Sequence, residues 1–284
     1  MGLVFDRVRW DEKALVRKAR AKGLDLKIVD AKAICLDLSE SGERLQDQFG
    51  SVVLQRCISH YRGFHVTALL ESKGLKVINS FTVTDLCGNK LFTTLALQKA
   101  GVPTPTTILA FTRTAALEAM QRVGFPAVLK PVTGSWGRLI AKVKDLESAE
   151  ALLEMREQLS NPLYQIYYVQ EMIERPPRDI RTIVVGDRVV TAVYRYAPPG
   201  DWRTNVAVGG RTEPCPLTKE LEDTVLKASA AVGGGVLGVD VMESARGIVV
   251  HEVNGTVEFR GASRVSEADI PGLIIDYALE QMRR

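Results

Sequence analysis

The sequence offers little that would suit a membrane protein, a secreted protein or a nucleic-acid-binding protein. No apolar run reaches the roughly 18 residues that a membrane-spanning helix needs. The chain starts with the apolar stretch Gly2-Leu3-Val4-Phe5 and not with a basic segment followed by a long apolar one, so no secretory signal is expected. A net charge of +3 is too small to indicate nucleic acid. We therefore expect a cytoplasmic protein with neither a membrane nor a nucleic-acid partner.

Cysteine is scarce, and its spacing excludes the sites that cysteine usually builds. The four cysteines are far apart and form no Cys-x-x-Cys pair: Cys35, Cys57, Cys87 and Cys215. Neither a zinc site nor a disulfide framework is therefore expected. The pattern favours small buried hydrophobic side chains in a reducing compartment.

The glycine pattern lacks two widespread nucleotide-binding motifs. The Gly-Lys-Ser/Thr of a Walker loop is missing, and no Gly-x-Gly-x-x-Gly joins a first strand to a first helix. The run Gly233-Gly234-Gly235 follows a predicted helix instead of a strand. A nicotinamide-dependent oxidoreductase is therefore disfavoured. A non-catalytic nucleotide-binding module stays open, although three candidate metal ligands, described below, argue against it.

Length and periodicity predict an α/β (α+β) protein with three regions. The 284 residues suffice for more than one hydrophobic core. Strands and helices alternate in the first region, which favours a parallel sheet. We place boundaries near residues 88 and 170, giving an N-terminal parallel-sheet domain (1–88), a central α+β domain (89–170) and a strand-rich C-terminal domain (171–284). A single helix is predicted over residues 83–100.

Two lysines and a glycine-rich loop indicate a polyphosphate ligand. Lys90 lies at a helix start, where its charge opposes the helix dipole. Lys130 ends an apolar strand, where a buried ammonium needs an anion, although a surface lysine is the simpler alternative. In the loop that follows, glycines let backbone N–H groups approach a phosphate, although a plain hairpin turn fits as well. The loop consists of Gly134, Ser135, Trp136, Gly137 and Arg138.

Three oxygen-bearing side chains in the C-terminal region indicate a magnesium site. Asp240 lies within the apolar strand Gly238-Val239-Asp240-Val241, and Glu252 and Asn254 share one face of the next strand. A turn at Ser244-Ala245-Arg246-Gly247 would join the strands as a hairpin centred near residue 246, which places Asp240 opposite Glu252. Opposed carboxylates need a cation, and Mg²⁺ prefers such oxygen ligands. The alternative is a solvent-facing strand edge with scattered charges.

Further arginines and an aspartate precede this hairpin. Arg195, Arg203 and Asn205 lie in two short polar segments, where guanidinium groups could neutralise a transferred phosphoryl group or simply form exposed ion pairs. Asp179 could accept hydrogen bonds from ribose hydroxyls, or it could pair with Arg181 or Arg178.

Taken in order, these segments resemble the ATP-grasp superfamily, in its RimK-type branch. Within the branch they are similar to the LysX-type ligases of lysine biosynthesis, a likeness that Gln55-Arg56-Cys57-Ile58-Ser59 and Asp269-Ile270-Pro271-Gly272 also carry. The lysine motif departs from the usual Gly-Asp-Lys of the branch. The resemblance to the RimK-type branch covers nearly the whole chain and rests on Gly88-Asn89-Lys90, Leu129-Lys130-Pro131, Gly134-Ser135-Trp136-Gly137-Arg138, Val169-Gln170-Glu171, Arg178-Asp179-Ile180-Arg181, Trp202-Arg203-Thr204-Asn205, Gly238-Val239-Asp240 and Glu252-Val253-Asn254. Glu258-Phe259-Arg260 carries the LysX-type likeness.

The resemblance implies a three-domain ATP-grasp fold that holds ATP between the central and C-terminal domains. It implies that Lys90 and Lys130 bind the α- and β-phosphates, that the glycine loop covers the phosphates, and that Asp179 holds ribose. Arg195 and Asn205 would act catalytically near the γ-phosphate, with Arg203 also at the nucleotide. The implied adenine hinge is Gln170, Glu171 and Met172, and the implied ligands of two Mg²⁺ ions are Asp240, Glu252 and Asn254.

The same resemblance implies the substrates. LysX-type ligases join the α-amino group of α-aminoadipate to the γ-carboxylate of the C-terminal glutamate of a small acidic carrier protein, LysW, and sister enzymes use glutamate. Gly261 and Ala262 occupy the implied specificity position and match neither substrate group, so both amino acids are expected as substrates. A homo-oligomer is also expected. The alternative is a RimK-like glutamate ligase that acts on a ribosomal protein tail or a cofactor.

Overall fold

The structure of the protein, a computed structural model, describes residues 1–134, 136–204 and 211–283. Its strands are β1 (Gly2–Phe5), β2 (Lys27–Asp30), β3 (Val52–Gln55), β4 (Lys76–Ile78), β5 (Thr107–Ala110), β6 (Ala127–Lys130), β7 (Ala141–Val143), β8 (Tyr167–Glu171), β9 (Arg178–Val185), β10 (Arg188–Tyr196), β11 (Arg211–Pro214), β12 (Val236–Ser244) and β13 (Gly247–Asn254). Its α-helices are α1 (Trp10–Ala21), α2 (Gly42–Phe49), α3 (His60–Ser72), α4 (Phe81–Gly88), α5 (Lys90–Lys99), α6 (Arg113–Val123), α7 (Leu146–Glu157), α8 (Lys219–Val232) and α9 (Ile270–Arg283). No helix in these ranges is long and apolar enough to cross a membrane.

The N-terminal strands form a parallel sheet in the order β2-β1-β3-β4, as the sequence predicted. Every residue of β3 is buried, which is the usual state of a parallel strand covered on both faces. The last helix of the chain, α9, shares a hydrophobic core with this sheet. Its Ile274 and Ile275 belong to the same cluster as Leu3 and Leu15. The C-terminal segment therefore completes the N-terminal layer.

The predicted helix over residues 83–100 is interrupted, so that prediction was wrong. The backbone at Asn89 is extended (φ −130°, ψ 118°), and its side-chain oxygen accepts a hydrogen bond from the Leu91 N–H at 3.0 Å. Asn89 thus caps α5, a role that asparagine performs well. Lys90 becomes the first residue of that helix, and its backbone N–H donates to the Val132 carbonyl at 2.7 Å. The interruption holds Lys90 beside the glycine loop.

The central and C-terminal sheets are antiparallel. The central sheet has the order β5-β8-β6-β7, and α6 and α7 contribute Met120 and Leu153 to the core beneath it. The C-terminal sheet has the order β11-β10-β9-β12-β13, and α8 packs Val225 and Leu221 against its apolar face. Lys130 ends β6 and Gln170 lies on the neighbouring β8, so the sheet pairing brings the two side chains together.

Several features escaped the sequence analysis. The helix α2 is polar apart from Leu45 and Phe49, and it begins after Ser41, whose hydroxyl accepts from the Arg44 N–H at 3.3 Å. The strand β11 is short, polar and at the edge of its sheet. Cys35 is exposed, so the expectation of burial was wrong for this cysteine.

Candidate active site at the junction of two cavities

The hairpin of β12 and β13 brings two carboxylates together. Asp240 is paired with Glu252 across the hairpin, as predicted. The register depends on a bulge, because Val241 pairs with Val250 and leaves His251 as an extra residue on β13. Asn254, two residues after Glu252, pairs with Gly238 and lies on the same side as Glu252.

Asp240 is buried and neutralised by two arginines. Arg181 donates to both of its oxygens, from Nε to Oδ1 and from Nη2 to Oδ2 at 2.8 Å. Arg195 lies 3.1 Å away, between Nη2 and Oδ2. Burial alone would raise the pKa of Asp240, but the two guanidinium groups hold it below its usual value. The cation required opposite Glu252 is therefore supplied in part by the protein itself.

Asp179 belongs to the same buried network. Arg195 donates to its two carboxylate oxygens at 2.8 and 2.7 Å, and the Thr204 hydroxyl donates to Oδ2. Burial would raise the pKa of Asp179, but the Arg195 guanidinium holds it below its usual value. The ion-pair partners offered by the sequence analysis were wrong, because Arg181 pairs with Asp240 and Arg178 pairs with Glu243 at 2.8 Å. A carboxylate held in this way orients Arg195, and its Oδ1, which accepts only from Arg195 Nε among the described residues, retains capacity for one more hydrogen bond.

Glu252 differs from its neighbours because its carboxylate is unpaired. It makes no hydrogen bond or ion pair within the described part of the chain. Asn254 donates from Nδ2 to Asp240 Oδ2 at 3.4 Å, which directs its amide towards the two carboxylates. Asp240 Oδ1 accepts from Arg181 and retains capacity for one more partner. The three side chains thus present hard oxygen atoms of the kind that suit Mg²⁺.

Lys130 is a buried ammonium with a neutral partner. Its Nζ donates to Gln170 Oε1 at 2.6 Å, and the Gln170 amide donates in turn to Thr107 Oγ1 at 3.0 Å. Burial lowers the pKa of Lys130 to about 8, although the nearby Glu252 opposes this shift. Among the described residues no carboxylate is hydrogen-bonded to Lys130, which leaves the ammonium suited to an anionic ligand.

The implied adenine hinge lies at the end of β8. The Glu171 carboxylate accepts from the Thr106 N–H at 2.6 Å and pairs with Arg246 at the hairpin turn. Met172 follows and is half-buried. This segment therefore connects the edge of the central sheet to the C-terminal hairpin.

The glycine loop is held at three points. The Lys90 ammonium donates to the Gly134 carbonyl at 2.6 Å, and Trp136 Nε1 donates to Glu258 Oε1 at 3.3 Å. The Arg138 guanidinium lies 5.1 Å from the Trp136 ring centroid. Trp136 adopts a φ of 60° and Gly137 a φ of 67°, which turns the loop sharply at this position. Ser135 lies outside the described residues.

Two cavities meet at this network. One of about 180 Å³ lies towards the N-terminal domain, with Arg9, Cys57 and His60 on its far wall. The other, of about 60 Å³, is lined by Lys130, Asp179, Arg195 and other polar residues. Both cavities are lined by Lys90, Gly134, Trp136, Asp240 and Glu252.

The remaining predicted residues divide into two groups. Arg203 lines the smaller cavity and forms a two-point ion pair with Asp201, at 2.7 and 3.1 Å, and Asn205 lies outside the described residues. Gly261 and Ala262 are not among the residues that line these two cavities, and their role in substrate choice stays a prediction. Ala262 packs in the core with Phe259, in a cluster that also contains Leu3 and Ile274.

Sequence reasoning missed the N-terminal wall of the larger cavity. Gln55 and Cys57 flank Arg56 in a segment noted only for its likeness to LysX-type ligases. Arg9, at the start of α1, gave no signal because a lone arginine before a helix is usually exposed. Arg9 lies at this cavity because the fold brings it against Glu258, which is more than 200 residues away in the sequence.

Comparison with known proteins agrees with this geometry. The LysX preATP-grasp domain matches residues 1–86, and the RimK-like ATP-grasp domain matches residues 87–278. The chain is 36% identical to an α-aminoadipate–LysW ligase LysX of Saccharolobus solfataricus, over 97% of this chain and 99% of the relative. It is 34% identical to a glutamate–LysW ligase ArgX of Sulfolobus acidocaldarius, over 98% of this chain and 97% of the relative.

Among solved structures, the fold is similar to that of a RimK-domain ATP-grasp protein from Sphaerobacter thermophilus. The TM-score is 0.76 at 23% identity, and the match covers 98% of this chain and 100% of the other. This likeness agrees with the three sheets described above. The chain belongs to the RimK-like ATP-grasp family of ATP-dependent ligases and carries the LysX-type N-terminal domain.

Proposed function

We propose that the protein is an ATP-dependent carboxylate–amine ligase that joins an amino acid to the carrier protein LysW. The α-amino group of α-aminoadipate or glutamate would be coupled to the γ-carboxylate of the carrier's C-terminal glutamate. The observation that carries the proposal is the meeting of two cavities at Lys90, Asp240 and Glu252. The cationic lining of the smaller cavity suits phosphate groups and the larger cavity has room for an amino acid, so a phosphorylated carboxylate formed at the junction would be within reach of an amine.

The smaller cavity is proposed as the phosphate site. Lys90 and Lys130 bring two ammonium groups to it, and Arg195 is held against it by Asp179. The glycine loop, with Gly134, Ser135, Trp136, Gly137 and Arg138, would cover the phosphates. The base would lie against the backbone of Gln170, Glu171 and Met172, with Arg203 and Asn205 near the transferred phosphoryl group. Asp179 would hold Arg195 and keep one acceptor site on Oδ1 for a ribose hydroxyl.

The described residues also fit magnesium. Glu252 carries an unpaired carboxylate, Asn254 an amide oxygen, and Asp240 one carboxylate oxygen with remaining capacity. We propose that these three side chains hold two Mg²⁺ ions when ATP is bound. The ions would supply charge neutralisation for the phosphates and orient them for in-line transfer. The arginines on Asp240 would limit it to a single metal contact.

The residues then act on two successive steps. A carboxylate is a poor electrophile, so its oxygen attacks the γ-phosphorus of ATP to form an acyl phosphate and ADP. The amine attacks the acyl carbon, and phosphate leaves with one oxygen of the original carboxylate. Lys90, Lys130 and Arg195 stabilise the negative charge that develops on the phosphates and the tetrahedral intermediate. The loop around Trp136 keeps water from hydrolysing the acyl phosphate.

The test uses the intact protein with ATP, Mg²⁺, LysW and one amino acid, followed by mass spectrometry of the carrier. The carrier should gain one α-aminoadipate or glutamate residue, with ADP and phosphate as products. A LysW variant without its C-terminal glutamate is the matched control and should gain nothing. A carrier that stays unmodified with both amino acids would contradict the proposal. Modification of a ribosomal protein tail or a cofactor instead would favour the RimK-like alternative.

A further inference from the structure

Arg9, on the far wall of the larger cavity, belongs to an ion-pair cluster with Glu12 and Arg56, which lie behind that wall. Arg9 donates from Nε and Nη2 to the two oxygens of Glu12, at 3.1 and 2.9 Å. Glu12 is buried and also pairs with the buried Arg56 at 3.3 Å. One carboxylate therefore serves two guanidinium groups. The cluster of Arg9, Glu12 and Arg56 carries a net charge of +1.

The adjacent acid, Asp11, offsets part of this charge electrostatically but contacts neither arginine side chain within the described residues. The Asp11 Oδ1 accepts from the backbone N–H groups of Phe259 at 2.7 Å and Arg260 at 3.1 Å. Its role is to fix the segment that follows Glu258, and it makes no ion pair with the cluster within the described residues. Glu12 contacts only Nε and Nη2 of Arg9, so the Nη1 end of the guanidinium is left for a further anion.

Glu258 supplies that anion in a replaceable way. Arg9 Nη1, the end of the guanidinium that Glu12 leaves free, donates to Glu258 Oε1. Glu12 has a side chain that is 2% exposed, whereas that of Glu258 is 43% exposed and lines the cavity. A solvated carboxylate is a weak competitor for a partly buried guanidinium, because an exposed ion pair contributes little. The carboxylate of a ligand that is long enough to reach Arg9 Nη1 can take the place of Glu258.

We propose that Arg9 binds the side-chain carboxylate of the incoming amino acid, which displaces Glu258. This inference rests on the proposed function and deepens it by naming the residue that recognises a dicarboxylic amino acid. The amine has to reach the junction at Lys90 and Glu252, and the α-carboxylate stays beside it on the same carbon. Arg9 lines only the larger cavity and not the junction. Of the amino acid's groups, the distal carboxylate is the one that can reach Arg9.

The experiment compares glutamate with glutamine, which has the same length and shape but no side-chain charge. In wild type, kcat/KM should favour glutamate strongly. In Arg9→Gln the ratio of the two values should fall at least about tenfold, because a charge-assisted hydrogen bond is lost. The KM values for ATP and LysW should stay unchanged. The matched control is Arg7→Gln, an exposed arginine two residues away, which should keep the wild-type ratio.

A second variant separates substrate binding from a purely structural latch. Glu258→Gln removes the competing charge and keeps an oxygen for Trp136 and Arg9, so the KM for glutamate should fall or stay the same. A structural latch would instead lose activity in both Glu258→Gln and Arg9→Gln. That result, or an unchanged glutamate-to-glutamine ratio in Arg9→Gln, would overturn the inference.

Two further measurements distinguish this inference from a role in binding the carrier and from the proposed function itself. Arg9→Gln could instead raise the KM for LysW and keep the wild-type ratio of kcat/KM for glutamate to that for glutamine. Arg9 would then bind the carrier's terminal carboxylate, and the inference would be wrong. Calorimetric binding of glutamate and glutamine to the protein with a non-hydrolysable ATP analogue separates this inference from the proposed function. Preference for glutamate that is lost in Arg9→Gln supports the inference even where wild type modifies no LysW. Equal binding of the two amino acids to wild type overturns it.

Discussion

Asp240 and Glu252 face each other across the hairpin of β12 and β13, and an extra residue sets this pairing. At the turn, Ser244 pairs with Gly247, and a regular ladder would place His251 opposite Asp240. The bulge at His251 shifts the register by one residue and brings Glu252 into that position. Asp240 then lies among arginines, whereas Glu252 faces both cavities without a partner.

Glu252→Gln should abolish most of the activity and leave the fold intact. Loss of an anionic ligand weakens Mg²⁺ binding, so kcat should fall at least about 100-fold. Because Glu252 has no partner in the described residues, the free energy of unfolding should change by less than about 1 kcal/mol. Initial rates across a Mg²⁺ titration and urea unfolding measure the two effects. Glu243→Gln, on the neighbouring strand β12, is the control, and near-normal activity of Glu252→Gln at low Mg²⁺ would contradict the metal assignment.

ATP binding should be linked to the protonation of Lys130. Burial lowers its pKa to about 8, below the ordinary lysine value, and a bound phosphate raises it again. Affinity for ATP should therefore be highest below pH 8 and weaken by up to about tenfold per pH unit above it. Calorimetry in buffers of different ionisation enthalpy should detect proton uptake above pH 8. In Lys130→Arg, which stays charged, this uptake should disappear; equal pH profiles for the two proteins would refute the linkage.

Asp179→Asn should destabilise the protein and lower activity. Arg195 is buried, and loss of its two-point partner should lower the free energy of unfolding by about 3–5 kcal/mol. The folded pKa of Asp179 is lowered, so its stabilisation is present above the unfolded value of about 3.9 and is lost as pH falls through the folded pKa. Urea unfolding at neutral pH measures the loss. Asp201→Asn, which removes a more exposed ion pair with Arg203, should cost less than about 1 kcal/mol; equal losses would contradict the burial argument.

Ala262→Phe should act on stability more than on substrate choice. Ala262 is buried in a packed core, so a phenyl ring should cost about 1–3 kcal/mol through overpacking. Thermal unfolding should show a lower Tm, and kcat/KM should fall by similar factors for α-aminoadipate and glutamate. A loss confined to α-aminoadipate, with an unchanged Tm, would support the specificity role expected from the sequence.

The parts of the site that follow from local spacing were predictable. A hairpin centred near residue 246 led to the expected pairing of Asp240 with Glu252, although the bulge at His251 that sets this register was not foreseen, and the parallel N-terminal sheet came from alternating periodicity. Hydrogen-bond and ion-pair partners that are far apart in the sequence were not predictable in this way. Arg195 was an expected phosphate ligand, but its bond to Asp179 depends on the register of β9 and β10. The wall at Arg9 depends on how the N-terminal and C-terminal segments pack together.

The transfer of a carboxylate oxygen to phosphate tests the acyl-phosphate ligase most directly. The carrier's C-terminal glutamate is labelled with oxygen-18 in its γ-carboxylate and incubated with the protein, ATP, Mg²⁺ and α-aminoadipate or glutamate. The account predicts one labelled oxygen in the released phosphate for each amide formed, with ADP as the other product. Label in AMP, or label that stays entirely with the carrier while amide forms, would contradict the account.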